Sequence, residues 1–549
     1  MATAIKIGDL LKSKGLIDIR QLRLALTQQG ITGDMLGDTL IKLGFVSPSE
    51  LGQALAEQAG MEFIDLNEYV ISEEALKLVP KDMAEKTGFI PLDIEAGRLS
   101  IGITTPNNVP AIDTAARLTK KQPKVYIVDT GSFRDFLDRA YFFLKNPIQQ
   151  RLDAVINEIK STETAPGTAI TAIADLLVMD GIRKNATDVH INPTDSVIQV
   201  FYRVDGVLQH GHCVPKIVHS GIVSRIKILS HLDISEQRLP QDGSFRFAIL
   251  DKGYDIRVST VPTIYGENVV MRVLAGTNSL LRIGKLGLDP ASTERIKGLF
   301  QKSHGIILIT GPTGSGKTTT LYAALREIDL LERNVITVED PVEYKLNLIK
   351  QTQVNEKAGY DFALAGRNFM RQDPDVMLLG EIRDEETAKI AVRAAITGHL
   401  VLSTLHTNDA ITAVPRLIDL GVDRFLMSSA LLAVMAQRLM RKICRYCKAG
   451  YALNESEIAV FKEHNISLTT AFKGNGCQKC GGTGYSGRMV VGEILIVDDA
   501  MREMIYSGAS ITAMRALAIS KGMLPLKEAA VRKAAGGLTT LNEAMRVAG

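Results

Sequence analysis

Apolar residues recur at helical spacing in the first sixty positions, and they do so twice. Leu22, Ala25 and Leu26 stand at i, i+3 and i+4, and Leu51, Ala54 and Leu55 repeat the stripe 29 positions later. The same shift superimposes Gly8 on Gly37, Leu11 on Leu40, Gly15 on Gly44 and Gln29 on Gln58, which marks an internal repeat over 6–58. Asp18 with Gln21, and Ser47 with Glu50, read as helix N-caps with their capping-box partners, and Pro48 suits a first helical turn. Each copy therefore predicts one amphipathic helix, and the two stripes are expected to pack together.

The period then changes. Residues 72–86 read as helix broken at Pro80, and 89–104 alternates in the manner of a hairpin, so 62–145 forms a second small α/β unit. Together with the repeat it makes a bipartite N-terminal module, 1–145. After a helical stretch around 133–160 the polar STETAPGTA, with Pro166 and Gly167, indicates a linker, placed at 146–168. From 169 to 280 one helix precedes the alternating runs VIQVFYRV, GSFRFAIL, YDIRVSTV and ENVVMRVL, an α+β domain with a mostly antiparallel sheet. From 281 to 549 the order becomes strand, glycine-rich turn, helix, strand, helix, strand, as in a parallel-sheet α/β domain.

Length and charge narrow the class. At ~150 residues per domain, 549 residues hold several units, which excludes a lone binding module. With 46% apolar and 23% charged residues, neither pervasive disorder nor a membrane protein is expected. A net charge of +3 offers no overall electrostatic case for direct nucleic-acid binding. Asp9 interrupts any leader-like apolar start, and no window of 18 uncharged apolar residues follows, so no transmembrane segment is expected.

The chemistry concentrates after residue 305. GIILIT leads into Gly311-Pro312-Thr313-Gly314-Ser315-Gly316-Lys317-Thr318-Thr319 and then into a helical TLYAALREIDLLE. Strand, loop and helix in that order confirm the context of a P-loop, whose amides and helix N-terminus cradle the phosphates of ATP. Lys317 is expected at the β- and γ-phosphates and the Thr318 hydroxyl on Mg²⁺. VMLLGE ends in Glu381 at the sheet edge where ligands of such folds bind, which makes it the first candidate for polarising water and a candidate at the magnesium. VITVED ends in Glu339 and Asp340, a second acidic pair expected against the same metal and water. His406 follows the strand HLVLSTL on the P-loop side and can donate to phosphate, whereas His399 starts the same strand at its far end.

Cys444-x-x-Cys447 and Cys477-x-x-Cys480 carry the spacing of a closed tetrahedral Zn²⁺ site, an insertion set at 441–490. The odd fifth cysteine, Cys213, is expected to be a small buried hydrophobe.

GPTGSGKTTT, TVEDPVEY, RQDPDVMLLGEIRDEET and TGHLVLSTLHTNDA resemble, in that order, the Walker A, aspartate-box, Walker B and histidine-box segments of the secretion ATPases of type II secretion and type IV pilus assembly. The similarity extends back through ATDVHINP, RLPQDGSFR and RVSTVPTIYGENVVMRVL, and forward through the cysteines. It implies a RecA-like ATPase domain and a homohexamer in the cytoplasm, at the cytoplasmic face of the inner membrane. The partner it implies is an inner-membrane platform protein; the zinc pattern is that of the family's secretion and pilus-extension ATPases rather than its retraction ATPases, and pilus extension is the preferred reading, with type II secretion as the alternative. Arg257 and Arg272 match the arginines this family offers to nucleotide phosphates, in its own or a neighbouring subunit. ATDVHINP departs from the family wording at Thr187, Val189 and Asn192, so His190 receives no chemistry. The N-terminal repeat resembles a module that binds cyclic di-GMP in some members. There each copy opens Arg-Leu-Gly; here the residues are Lys6-Ile7-Gly8 and Met35-Leu36-Gly37, which lack the planar guanidinium. Two readings of other classes compete: a nucleic-acid translocase on the same P-loop core, and a nucleotide- or messenger-operated binding switch.

Overall fold

Asp18 starts the first long helix as its sequence predicts. Its carboxylate accepts from the Arg20 and Gln21 amides, and the Gln21 side chain returns a bond to the Asp18 amide across the helix Ile19–Thr32. Further helices follow at Leu36–Lys42 and Pro48–Ala59. The computed structural model describes residues 6–162, 166–274 and 281–549. The chain divides into one unit of Met1–Leu10 with Pro48–Asn278 and another of Leu11–Ser47 with Ser279–Gly549.

In the first unit the expected hairpin, Phe89–Glu95 with Arg98–Ile103, forms one side of a four-stranded sheet. Phe89, Ile90, Leu99, Ile101 and Ile103 are fully buried there. Within the stretch 146–168, Ile148–Thr162 is a helix, and residues 163–165 lie outside the described residues. Ile148, Leu152, Ile156 and Ile159 give it a continuous apolar stripe, which packs with Ile173, Val200 and Met271 in one core. Pro166 and Gly167 mark only a short break before the helix Gly167–Arg183.

That core is covered by a six-stranded sheet in the order Val207–Pro215, Val197–Val204, Asp188–Pro193, Gly266–Leu274, Lys252–Thr263, Gln241–Ile249, with every pair antiparallel. Asp188–Pro193 and Val207–Pro215 add two strands to the four read from alternation. Val189, Ile191, Val258 and Met271 are buried on the inner face. Arg257 and Arg272 are exposed on the alternate positions. Cys213 is exposed rather than buried: it lies on the edge strand between buried His212 and Val214, so the pleat turns it outward, within 3.2 Å of the Gln199 side-chain oxygen.

The second unit holds a seven-stranded sheet in the order Lys350–Gln353, Val335–Glu339, Val376–Leu379, Leu400–Leu405, Gly305–Thr310, Leu431–Ile443, Tyr485–Ile496. All neighbours are parallel except the last pair. The strands Gly305–Thr310, Val335–Glu339, Val376–Leu379 and Leu400–Leu405 are buried along their whole length, as a parallel sheet covered on both faces requires. Their C-terminal ends carry the loops of interest. Among the described residues no helix is long and apolar enough to cross a membrane.

Candidate functional site

The phosphate-binding loop leaves the strand Gly305–Thr310 at Gly311, whose φ of +147° is open only to glycine. A Cβ there would lie 2.5 Å from the Gln437 carbonyl oxygen and 2.7 Å from Ser315 Oγ, so the position tolerates no side chain. Gly314 and Gly316 are left-handed as well, at +78° and +87°, and Gly316 caps the helix Lys317–Leu325. Pro312, Thr313 and Thr318 are exposed and Thr319 half-buried. Ser315 is 3% exposed and its Oγ has no hydrogen-bond partner, a buried polar group left open towards an incoming oxygen ligand. Lys317 Nζ donates to the Gly311 and Pro312 carbonyls at 2.9 and 3.2 Å. Burial holds its pKa below the usual lysine range, and Arg438 adds to this while Glu381 opposes it. These features fit a nucleotide phosphate: a glycine cradle, a helix N-terminus, an orphaned hydroxyl and a partly desolvated cation.

Two predicted groups meet beside this loop. Glu381 has a side chain only 20% exposed and is paired with Arg383, whose Nη2 is 3.1 Å from Oε2. His406 Nε2 lies 3.9 Å from Glu381 Oε1. Burial, followed by the charge of Lys317, depresses the His406 pKa below its ordinary 6.5, so at pH 7 the ring is neutral and one nitrogen donates. The loop carrying His406 is tied to the P-loop strand, since Thr310 Oγ1 accepts from the Thr407 amide at 2.8 Å. Thr404 Oγ1 donates to Gly380 O at 2.9 Å, which steadies the residue before Glu381.

Glu339 does not join them. It is 4% exposed and takes hydrogen bonds from Tyr322 OH, from Thr337 Oγ1 at 2.6 Å and from Gln351 Nε2 at 3.2 Å. Burial, helped by this carboxylate, pushes the Tyr322 hydroxyl well above its usual pKa. The carboxylate thus ties the P-loop helix to the strand Val335–Glu339, contacts that compete with the expected place against metal and water. Asp340, by contrast, is exposed at the end of that strand. His399 sits at the opposite end of its strand, bonded to Ala394 O at 2.8 Å, in a local structural role.

Arg257 and Arg272 are direct cross-strand partners in the first unit, and Arg272 Nε reaches Asp188 at 3.0 Å. Asp188 thus gives Arg272 a carboxylate partner, and Arg257 is exposed at the facing position of the next strand. Arg383, Arg438 and Tyr322 were not singled out from the sequence. Arg383 stands two residues beyond Glu381, a proximity that was open to notice. Arg438, whose Nη2 holds Asn408 O at 2.9 Å, gives no local signal.

The four cysteines converge with their sulfurs all within 4.8 Å of one another, at 3.7 to 3.9 Å for three of the pairs. Tetrahedral Zn–S bonds of ~2.3 Å place sulfurs about 3.8 Å apart, so the set fits zinc. Burial pushes the Cys444 thiol up to about 12. Burial acts in the same sense on Cys480, but the amides of Cys477 and Gly484 prevail and bring it to about 6. Gly474 and Gly484 lie so close that a Cβ on either would meet the other's backbone oxygen within 2.5 Å.

The P-loop, the neutral histidine after the adjacent strand and the carboxylate after the next one define a P-loop ATPase. Residues 163–546 match the family described as Type II/IV secretion system protein, and 59–143 match the MshEN domain. The chain is 38% identical over 555 residues to the type IV pilus assembly ATPase PilB of Myxococcus xanthus, covering 98% of both. It is 40% identical over 438 residues to the type II secretion system ATPase E of Vibrio cholerae, covering 79% of this chain and 86% of that one. The fold is shared with the Legionella pneumophila ATPase DotB at a TM-score of 0.50 and 19% identity, over 68% of this chain and 94% of that one. The chain belongs to the Type II/IV secretion system protein family and is an ATPase.

Proposed function

We propose that the protein is a cytoplasmic hexameric motor that hydrolyses ATP to drive type IV pilus assembly through a platform protein of the inner membrane. The full-length similarity to a pilus assembly ATPase, 98% of each chain, carries this reading. A second reading, type II secretion, rests on a relative of that name in Xanthomonas campestris, 36% identical over 98% of this chain and 96% of that one. Deleting the gene and scoring surface pili and secreted enzymes in one strain separates them. Lost pili with normal secretion supports assembly; the reverse pattern supports secretion.

In the proposed cycle the amides of Gly311–Thr319 and Lys317 bind the phosphates, with Thr318 and Asp340 on the side where Mg²⁺ would bind. Glu381 orients the attacking water, His406 donates to the γ-phosphate, and Arg383 holds Glu381 in place until the nucleotide arrives. Arg257 and Arg272 supply positive charge to the transferred phosphoryl group in the assembled hexamer, as an arginine finger does. Cys444, Cys447, Cys477 and Cys480 hold a structural Zn²⁺. We read the segments around Gly15 and Gly44 as two copies of a 29-residue repeat, within a chain organised as the four regions 1–145, 146–168, 169–280 and 281–549. Cyclic di-GMP is kept as the alternative ligand of the repeat, disfavoured because Lys6 and Met35 stand where the messenger-binding module carries arginine, and direct nucleic-acid binding has no part in this reading.

A further inference from the structure

Arg282 precedes the ATPase domain's first helical turn, and one of its nitrogens, Nη2, donates to two carbonyls at once: Leu16 O at 2.8 Å and Phe45 O at 3.1 Å. These acceptors are 29 residues apart and equivalent. Each follows a left-handed glycine, Gly15 at +65° and Gly44 at +77°. Each residue also returns its own amide five residues back, Leu16 to Leu11 O and Phe45 to Leu40 O, both at 3.0 Å. The same helix-ending turn, made twice, presents the same carbonyl twice to a single guanidinium.

The rest of the contact lies at the far end of the P-loop helix. Arg326, its C-terminal cap, donates to Phe45 O at 3.4 Å. Arg20 pairs with Asp329 at 2.6 Å and with Glu332, in the turn that follows the helix, and Asn347 donates to Lys42 O at 2.5 Å. A nine-residue helix is a rigid rod of about 13 Å. One end frames the phosphates and the other carries Arg326.

We propose that Leu11–Ser47 is a docking module for the ATPase domain's own surface at the C-terminal end of the P-loop helix, and that docking and nucleotide binding favour each other. The inference rests on the nucleotide site proposed above and concerns its regulation. A docked module restricts the helix and the turn after it before nucleotide arrives, which removes part of the ordering cost of binding. Linkage then requires nucleotide to tighten docking by the same factor. A partner that draws Leu11–Ser47 away would loosen nucleotide, and so would tie ATP occupancy to the state of the machine.

Hydrogen exchange on the full-length protein, with and without ADP and Mg²⁺, tests this in wild type, Arg282→Ala, Arg282→Lys and Arg20→Asp. Without nucleotide, Arg282→Ala and Arg20→Asp should each speed exchange across Leu11–Ser47, and Arg282→Lys, which keeps a cationic donor group but not the planar fork, should do so less. ADP should slow exchange there in wild type, and the Arg282→Ala variant should bind ADP at least about five-fold more weakly. Unchanged exchange over Leu11–Ser47 in both Arg282→Ala and Arg20→Asp would overturn docking. Wild type that binds ADP without protecting this segment would overturn the coupling, whereas wild type that binds no ADP would overturn the nucleotide site itself.

Discussion

Gly311 and Gly314 stand three residues apart in one loop, and alanine at each separates conformational strain from steric conflict. At Gly314 a Cβ meets nothing within 4 Å, and φ is +78°. The cost of Gly314→Ala is that of a left-handed alanine, about 1–2 kcal/mol. At Gly311 φ is +147°, and the new Cβ falls 2.5 Å from the Gln437 backbone oxygen. That oxygen belongs to the strand Leu431–Ile443, paired on both sides, and cannot swing away as a side chain would. Forced overpacking adds about 1–3 kcal/mol to the backbone strain, so the loop shifts and the phosphate amides lose register. If that difference appears in binding, Gly311→Ala should bind ATP about 5- to 150-fold more weakly than Gly314→Ala. Titration of a fluorescent ATP analogue reads both constants, and a thermal melt checks that each variant is folded. Equal affinities in the two folded variants would refute the cradle argument.

Other perturbations test the supporting structure. Tyr322→Phe removes one donor from the buried Glu339 carboxylate and should destabilise the ATPase domain by about 1.5–3 kcal/mol, read as a lower urea midpoint with ATP turnover per folded molecule retained; loss of turnover without loss of stability would contradict the anchoring role. Burial alone would raise the Glu543 carboxyl, yet Arg546 and Arg441 bring it down to about 2 from an ordinary 4.5. A depressed acid stabilises above its unfolded pKa, so the hold of the helix Leu541–Ala548 should be full above pH 4.5 and fade as pH falls towards 2; Glu543→Gln should lose that dependence in an acid-unfolding curve. Wild type should carry one zinc per chain by atomic absorption, and Cys444→Ser should lose it and melt at a lower temperature; a metal-free, equally stable wild type would remove the zinc assignment.

What could be read in advance follows from how local each signal is. Gly311 to Thr319 state their conformation within nine residues, because only glycine meets those φ values and the flanking strand and helix are contiguous. The two cysteine pairs are as local, and the turn between Gly474 and Gly484 simply closes the distance. Glu339 and Glu381 both end apolar strands and look alike in the sequence; they part company because Tyr322, seventeen residues before Glu339, turns one of them inward. The helix Ile148–Thr162 falls largely within the helical stretch read around 133–160, and its stripe is visible in the sequence, because Pro166 and Gly167 break the chain only after it. Cys213 shows the limit of composition, since the pleat alternation of its strand decides which way it points. That Leu11–Ser47 belongs with the ATPase domain depends on Arg282, 266 residues beyond Leu16 in the chain, and no periodicity reports such a contact.

The central claim is that Glu381, not Glu339, drives hydrolysis beside the P-loop. Steady-state phosphate release by Glu381→Gln, measured with ATP affinity on the same preparation, tests it most directly. The account predicts near wild-type binding with turnover lowered by about 10²- to 10⁴-fold. Wild-type turnover in Glu381→Gln, with turnover lost in a folded Glu339→Gln, would contradict it.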